Sequence, residues 1–386
     1  MSFPPVKSVK SVVIPATMRA VVYRGANDLR LETVPVPAIQ PGELLVKVAV
    51  CGVCPTDIKK IQHGDLPPPR IFGHETAGVI VKIGPGPSKF RVADRVALHH
   101  HVPCLKCHYC RHRAFAQCPQ YKRTGITAGF EPAGGGYAEY VRVMRFVLPG
   151  VVKIPARNTF AEGAMIEPVN TVLKGVNRLG LQPGDTALVI GQGPIGLMFT
   201  KILRLRGITV LATDLMDSRL KLARQWGATA AFRADAPNLA QKLQKAAPCL
   251  DAAIIAVPSQ AAVLQAMDLV RGSGKILLFA HTHRNAQSLL PLASGKLTNS
   301  LTQPSQLPLD LSAICALEKD LLGSYSSDFT LQVEVARLIF SRKLDIRPLI
   351  THQFPLAETA AAVALASAPA ADSLKVIVNQ QLTNEK

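Results

Sequence analysis

The chain has 386 residues, a length that favours two cores over one. With 48% hydrophobic and 18% charged residues it is a folded globular protein, which excludes a disordered chain, and no apolar run reaches the ~18 residues of a membrane span. A formal net charge of +18 draws anions, but Lys and Arg are dispersed with no basic run or interleaved aromatic pattern, so nucleic acid is not an expected partner.

Residues 1–17 are mildly basic and broken by Pro4, Pro5 and Pro15. Lacking the apolar core of a signal peptide, they read as a leader to the first strand. Residues 18–23, 29–34 and 43–50 read as strands separated by Gly, Asn and Pro turns. Two further β-type runs lie at 77–83 and 92–98. The stretch up to Val147 has little helical periodicity and reads as an irregular antiparallel β domain. From Phe160 the pattern changes. Helical spacing covers 160–179, and strands at 187–190, 208–212, 228–232, 252–257 and 275–280 then alternate with helices at 195–206, 218–226, 239–246 and 261–269. Such alternation predicts a parallel, doubly wound sheet. A last edge strand at 321–324, helices at 331–340 and 356–366, and a final strand at 374–378 follow.

Within this α/β part lies Gly191-Gln192-Gly193-Pro194-Ile195-Gly196, a G-x-G-x-x-G. It follows an apolar strand and opens a helix. A second strand ends in Asp214, roughly 20 residues on. Gly191 permits the tight turn, Gly193 lets the backbone approach a pyrophosphate, and Gly196 lets helix and strand pack closely. The helix N-terminus adds free N–H groups and the positive end of its dipole. Asp214 is placed to accept hydrogen bonds from an adenosine ribose, and its charge favours NAD over NADP. A glycine turn packing in some other α/β protein is the plainer alternative.

Cys104, Cys107, Cys110 and Cys118 are spaced C-x2-C-x2-C-x7-C. Four thiols so close suit a closed structural zinc site, with an iron–sulfur cluster as the competitor. Metal-type spacing in a chain of this size also points to a reducing, cytoplasmic location. A second group is scattered: Cys54-Pro55-Thr56-Asp57, Gly73-His74-Glu75 and Glu167-Pro168. Cys, His and carboxylate can hold a zinc with one position left open for chemistry. Taken singly, Cys54 reads as a core thiol and His74 as a satisfied loop histidine. His99, His100 and His101 precede the lobe and read as structural or rim residues. Trp226 reads as packing against the sheet. Cys249 and Cys315 have no partner pattern and read as buried thiols.

Taken together, these motifs resemble the zinc-dependent medium-chain dehydrogenase/reductase family, which includes alcohol, sorbitol and threonine dehydrogenases. The resemblance also rests on Thr76-Ala77-Gly78 and on residues 134–140 (GGGYAEY), and it spans about Met18 to Val378. It implies a GroES-like irregular β catalytic domain interrupted by a Rossmann domain, with boundaries at 1–166 (zinc lobe 99–120), 167–326 and 327–386. It implies two Zn2+ per chain and NAD. Cys104, Cys107, Cys110 and Cys118 would hold the structural zinc. Cys54 and His74 would ligate the catalytic zinc together with Glu75 or Glu167, the choice between the two staying open. Asp57 would orient the ligating histidine. Thr56 would pass the substrate proton outward, while Lys59 stands where some members carry a relay histidine; His63 or solvent could serve instead. Arg219 resembles an arginine beside the adenosine, with a solvated helix residue as its plainer reading.

Zinc would polarise the substrate oxygen while hydride moves to the nicotinamide. The implied activity is oxidation of a secondary alcohol such as a polyol, cyclitol or amino alcohol, leaning to the sorbitol and threonine dehydrogenase branch through Glu167-Pro168. The alternatives are an NADP-dependent aldehyde reductase of the same family and a non-catalytic dinucleotide-binding regulatory protein. A homodimer or homotetramer is expected, with the apolar stretches 276–279 and 321–325 as interface strands.

Overall fold

The computed structural model describes residues 13–64, 66–120, 134–280 and 309–382, so most of the expected leader, residues 1–12, lies outside them. The chain divides into two units, Met1–Glu167 with Gln332–Lys386, and Pro168–Leu331.

The first unit opens with β1 (Thr17–Gly25), β2 (Asp28–Pro35), β3 (Leu44–Gly52), β4 (Arg70–Ile71), β5 (Glu75–Ile83), β6 (Arg95–Ala97), β7 (Tyr140–Val143) and β8 (Val152–Lys153). β6 is shorter than the apolar run that predicted it, because Ala93 takes a left-handed turn (φ 73°) just before it. A helix, Pro55–His63, was not expected. Its inward face carries only Asp57, Ile58 and Ile61, too few for periodicity to register. Its signal lay at the ends: Pro55 in the first turn, and Gly64 in the left-handed conformation (φ 71°) after the last. The helical stretch 160–179 is two helices, Phe160–Ala164 and Ile166–Leu179. Thr159 and Glu162 form a capping box on the first. Pro168 explains the break. It has no N–H to bond back to Ala164, which one continuous helix would need, but in the first turn of a new helix none is required.

The second unit holds β9 (Thr186–Ile190), β10 (Thr209–Asp214), β11 (Ala230–Arg233), β12 (Ala252–Ile255), β13 (Lys275–Leu278) and β14 (Asp320–Gly323). They form one all-parallel sheet in the order β11-β10-β9-β12-β13-β14. β12 is buried along its whole length, β9 and β10 along all but their first residue, and their near-continuous apolar runs are what a sheet covered on both faces requires. The order reverses beside β9, and the glycine turn follows β9 directly, which is where such sheets bind ligands. β13 is flanked by β12 and β14, so of the two expected interface strands only β14 is an edge. Trp226 is buried just after the helix Asp217–Gln225. Cys249 and Cys315, expected to be buried, are exposed. The first lies in the connection before β12 and the second near the end of the short helix Leu311–Ala316.

The chain returns to the first unit through the helix Gln332–Phe340, β15 (Ile350–Phe354), the helix Thr359–Ser367 and β16 (Lys375–Asn379). One sheet of that unit runs β15-β16-β3-β5-β6-β8, with β7 also on β3; the other is β2-β1-β4. The larger sheet is mixed and not wholly antiparallel as expected, since β15 and β16 run parallel. Parallel neighbours need a crossover, and the helix Thr359–Ser367 supplies it. The core between the sheets includes Tyr23, Leu44, Ile71, Phe72, Ile80 and Tyr137.

Candidate functional site

The lobe after β6 is built locally. Cys107 caps a single helical turn, His108–Arg111, and Cys110 lies three residues on, so both thiols face one side. Leu105 takes a left-handed turn (φ 62°) that folds Cys104 back. The Cys104 N–H points at the Cys118 sulfur, 3.4 Å away. Cys107 and Cys110 sulfurs are 3.5 Å apart, Cys104 and Cys110 sulfurs 4.0 Å. All four sulfurs lie within 4.8 Å of one another. A tetrahedral ion with Zn–S bonds near 2.3 Å spaces its sulfurs by about 3.8 Å, so the geometry fits one ion and not a multi-iron cluster. The backbone N–H groups of Lys106 and Cys107 lower the Cys104 thiol to about 6, readying it as a thiolate. Burial and the neighbouring thiols push Cys110 up to about 12.

The second group is assembled by sheet register. β3 pairs antiparallel with β5 so that Gly52 faces Glu75. The next turn after β3 therefore sets Cys54 beside His74, which precedes β5. A Cβ on Gly52 would run into the Glu75 carboxylate, so the close approach needs glycine. Cys54 begins the helix Pro55–His63, whose first turn aims the fully buried Asp57 at the His74 ring, with Oδ1 3.1 Å from Nδ1. Burial alone would lower the His74 imidazole, but Asp57 and the hydrogen-bonded Cys54 hold it well above its ordinary value. The surroundings thus favour positive charge at this point, which a bound cation would supply.

The two glutamates have different environments. Lys375, on β16, reaches Glu75 Oε1 at 2.6 Å and Oε2 at 2.5 Å and donates to the Val53 carbonyl at 2.9 Å, all buried. Burial would lower this ammonium; Glu75 and Cys54 raise it. Glu75 is therefore held in a buried ion pair. Glu167, second residue of the helix Ile166–Leu179, is buried with its carboxyl raised to about 7, by desolvation first and by Glu75, against the pull of His74. Its Oε1 lies 3.5 Å from His100 Nδ1. Among the described residues only the lobe cysteines gather three or more donors within 4.8 Å; Cys54 hydrogen-bonds His74, and the charge of His74 acts on Glu167. Thr56 and Lys59 are half-buried on the same short helix, and His63 is exposed at its end. Burial lowers the Lys59 ammonium, with Cys54 opposing.

Sequence reading missed Lys375, although a lysine in the apolar run LKVIV was its available signal. Of the two roles expected for His99, His100 and His101, structural or rim, burial of all three fits the structural one.

In the second unit, Gly191 has φ 93°, and a Cβ on Gly196 would collide with the Gly191 carbonyl. Gly193 caps the helix Pro194–Leu205 without a side-chain cap. A Cβ there would meet nothing nearer than the Arg219 guanidinium at 3.9 Å, which leaves the backbone open to a phosphate. The buried Asp214 carboxylate accepts the Gln192 N–H at 2.6 Å and the Met216 N–H at 2.9 Å, tying the glycine turn to the end of β10. Arg219 is half-buried beside the turn, its Nε without a hydrogen-bond partner. No helix of the described residues is long and apolar enough to cross a membrane.

Residues 40–156 match the family model of the alcohol dehydrogenase GroES-like domain, and residues 194–305 that of the zinc-binding dehydrogenase. An alcohol dehydrogenase of Geobacillus stearothermophilus is 33% identical over 265 residues, 67% of this chain and 76% of its own. Sorbitol dehydrogenase of Bacillus subtilis (strain 168) is 28% identical over 375 residues, 95% of this chain and 98% of its own. A crystal structure described as a zinc-binding dehydrogenase from Sinorhizobium meliloti 1021 bound to NADP has a TM-score of 0.80 and 26% identity, covering 95% of this chain and all of the other. With these matches across both units, the chain belongs to the zinc-binding, medium-chain alcohol dehydrogenase family, oxidoreductases of the CH–OH group.

Proposed function

We propose that this protein oxidises a secondary alcohol of a polyol-like substrate with NAD, using zinc held by Cys54, His74 and Glu167. The metal chemistry belongs to the unit of Met1–Glu167 and Gln332–Lys386, and the dinucleotide to Pro168–Leu331. The observation that carries the reading is the buried His74–Asp57 pair, hydrogen-bonded to the half-buried Cys54 and acting by its charge on the buried Glu167. Glu167 is the third donor in this reading because Lys375 occupies Glu75. When bound, zinc supplies a Lewis acid that polarises the substrate oxygen, and NAD supplies the hydride acceptor. Asp57 fixes the His74 ring so that Nε2 faces the donor set. Thr56, in the first turn beyond Cys54, takes the substrate proton toward solvent. The four lobe cysteines hold a second zinc with a purely structural role. Asp214 puts negative charge where a 2′-phosphate would sit and so favours NAD. Self-association uses the edge strand β14, where Leu321 and nearby Tyr325 are exposed.

Metal analysis together with an NADH-absorbance screen tests the reading. About two zincs per chain and turnover of polyols or secondary alcohols, faster with NAD than with NADP, are expected. No reduction of NAD by any alcohol, with zinc and NAD bound, would overturn it.

A further inference from the structure

A cavity of about 640 Å³ lies within the first unit, lined by parts of β1, β3, β5 and the C-terminal return and by none of the proposed zinc donors. Pockets of this size take a small organic molecule. The strand β3 gives it an unusual wall. Every residue of Leu44–Gly52 is buried except Lys47, which is exposed and pairs across the sheet with Val79. Ala49, Val79 and Leu356 supply apolar surface, and Leu382, just past β16, adds more. Three charged residues line the cavity: Arg19, Lys47 and Glu139. Two of them satisfy each other. The Glu139 carboxylate accepts from the Arg19 backbone N–H at 2.8 Å and from its Nε at 3.0 Å. The Lys47 ammonium has no hydrogen-bond or ion-pair partner among the described residues. Gln380 turns its side-chain amide away, donating to the Ala138 carbonyl at 2.6 Å and toward that of Gly136 at 3.5 Å.

We propose that this cavity binds a small amphiphilic carboxylate, with its anionic head on Lys47 and its apolar tail against Ala49, Val79, Leu356 and Leu382. One unpaired ammonium in an otherwise balanced wall matches a single negative charge. A phosphate dianion is better held by several cations or by free N–H groups at a helix start. Here the second cation, Arg19, is already engaged, and the helix that begins at Phe160 is already capped by Thr159 and Glu162. The head alone is not enough to bind, because an exposed ammonium and a carboxylate in water gain little from each other. Burying the tail supplies the affinity, and the Lys47 contact supplies the selection for an anion. Because Leu356 and Leu382 come from the C-terminal return and Lys47 from β3, an occupant braces two distant stretches of the chain. Binding to the folded chain alone then raises its stability.

The test titrates octanoate, octanamide and acetate into the zinc-loaded full chain by calorimetry, with melting curves alongside. Octanoate should bind at about one per chain and raise the melting temperature, while acetate, which lacks the tail, should not bind measurably. Octanamide keeps the tail without the charge and should bind about tenfold more weakly or worse. Lys47→Met should weaken octanoate by a similar factor, and Lys47→Arg should keep most of the affinity. Lys47 is exposed, so without ligand both variants should melt as wild type does. A carboxylate can also sit on a metal, so Cys54→Ser serves as the control, and octanoate binding should survive it. Three results overturn the proposal. They are no octanoate binding to wild type, equal binding by wild type and Lys47→Met, and equal binding of octanoate and octanamide. Loss of binding in Cys54→Ser with Lys47→Met unaffected places the carboxylate at the zinc donors and overturns it as well.

Discussion

The first unit contains two cysteine-bearing centres made in opposite ways. In the lobe, four donors come from fifteen consecutive residues, and turns at Leu105 and His108–Arg111 bring the sulfurs together. At the Cys54 group, the proposed donors are residues 54, 74 and 167, which β3–β5 register and a helix start place as neighbours and not as a closed cluster. The lobe's sulfurs satisfy one another's geometry and need nothing else. The second group is embedded in charges, with Asp57 behind His74 and Lys375 on Glu75. A locally closed set has no reason to leave a coordination position free, whereas a dispersed set lets the protein choose which donor is withheld. Lys375 does this by engaging Glu75.

The sharpest way to break the comparison is one cysteine from each centre. Cys54→Ser should lower turnover by ~10³-fold or more, leave the lobe metal in place and change the melting temperature little. Cys107→Ser should instead remove the lobe metal and lower thermal stability, because that metal contributes to folding. Metal content, kcat and melting curves of the two variants check this, and swapped phenotypes would refute the division of labour. Next in size is Lys375→Met. Removing one partner of a buried ion pair costs about 3–5 kcal/mol, since Glu75 is left charged without compensation. Denaturant unfolding should show that loss, and Lys375→Met with Glu75→Gln should restore most of it; no restoration would mean Lys375 matters for packing alone.

The smallest effect concerns the histidines. Burial lowers His99 to about 3, against about 6.5 unfolded. The unfolded chain therefore takes up this proton first as pH falls. The stability is fully present above about pH 6.5 and is lost toward pH 3, at most about 1.4 kcal/mol per pH unit for this group. His99→Leu sacrifices no hydrogen bond, so it should lose less stability than wild type between pH 7 and pH 5. Parallel unfolding curves at the two pH values would show that burial of His99 does not set the slope.

Where a signal is local, it was legible. The glycine turn follows from Gly191 and Gly196, whose backbone requirements no other residue meets, and the parallel strands follow from continuous apolar runs such as LVI and AAII. The helix Pro55–His63 and β15 were not, because a short helix with three inward residues and a half-exposed strand carry little periodicity.

Spacing by itself determined the four-cysteine lobe and the strand–turn–helix that faces a dinucleotide, since residues a few positions apart cannot avoid meeting. Only the tertiary structure decided which glutamate is occupied. Lys375 lies 300 residues from Glu75 and meets it solely because β16 pairs with β3, which pairs with β5. The same holds for His100, whose place beside Glu167 depends on the helix Ile166–Leu179 starting where Pro168 requires.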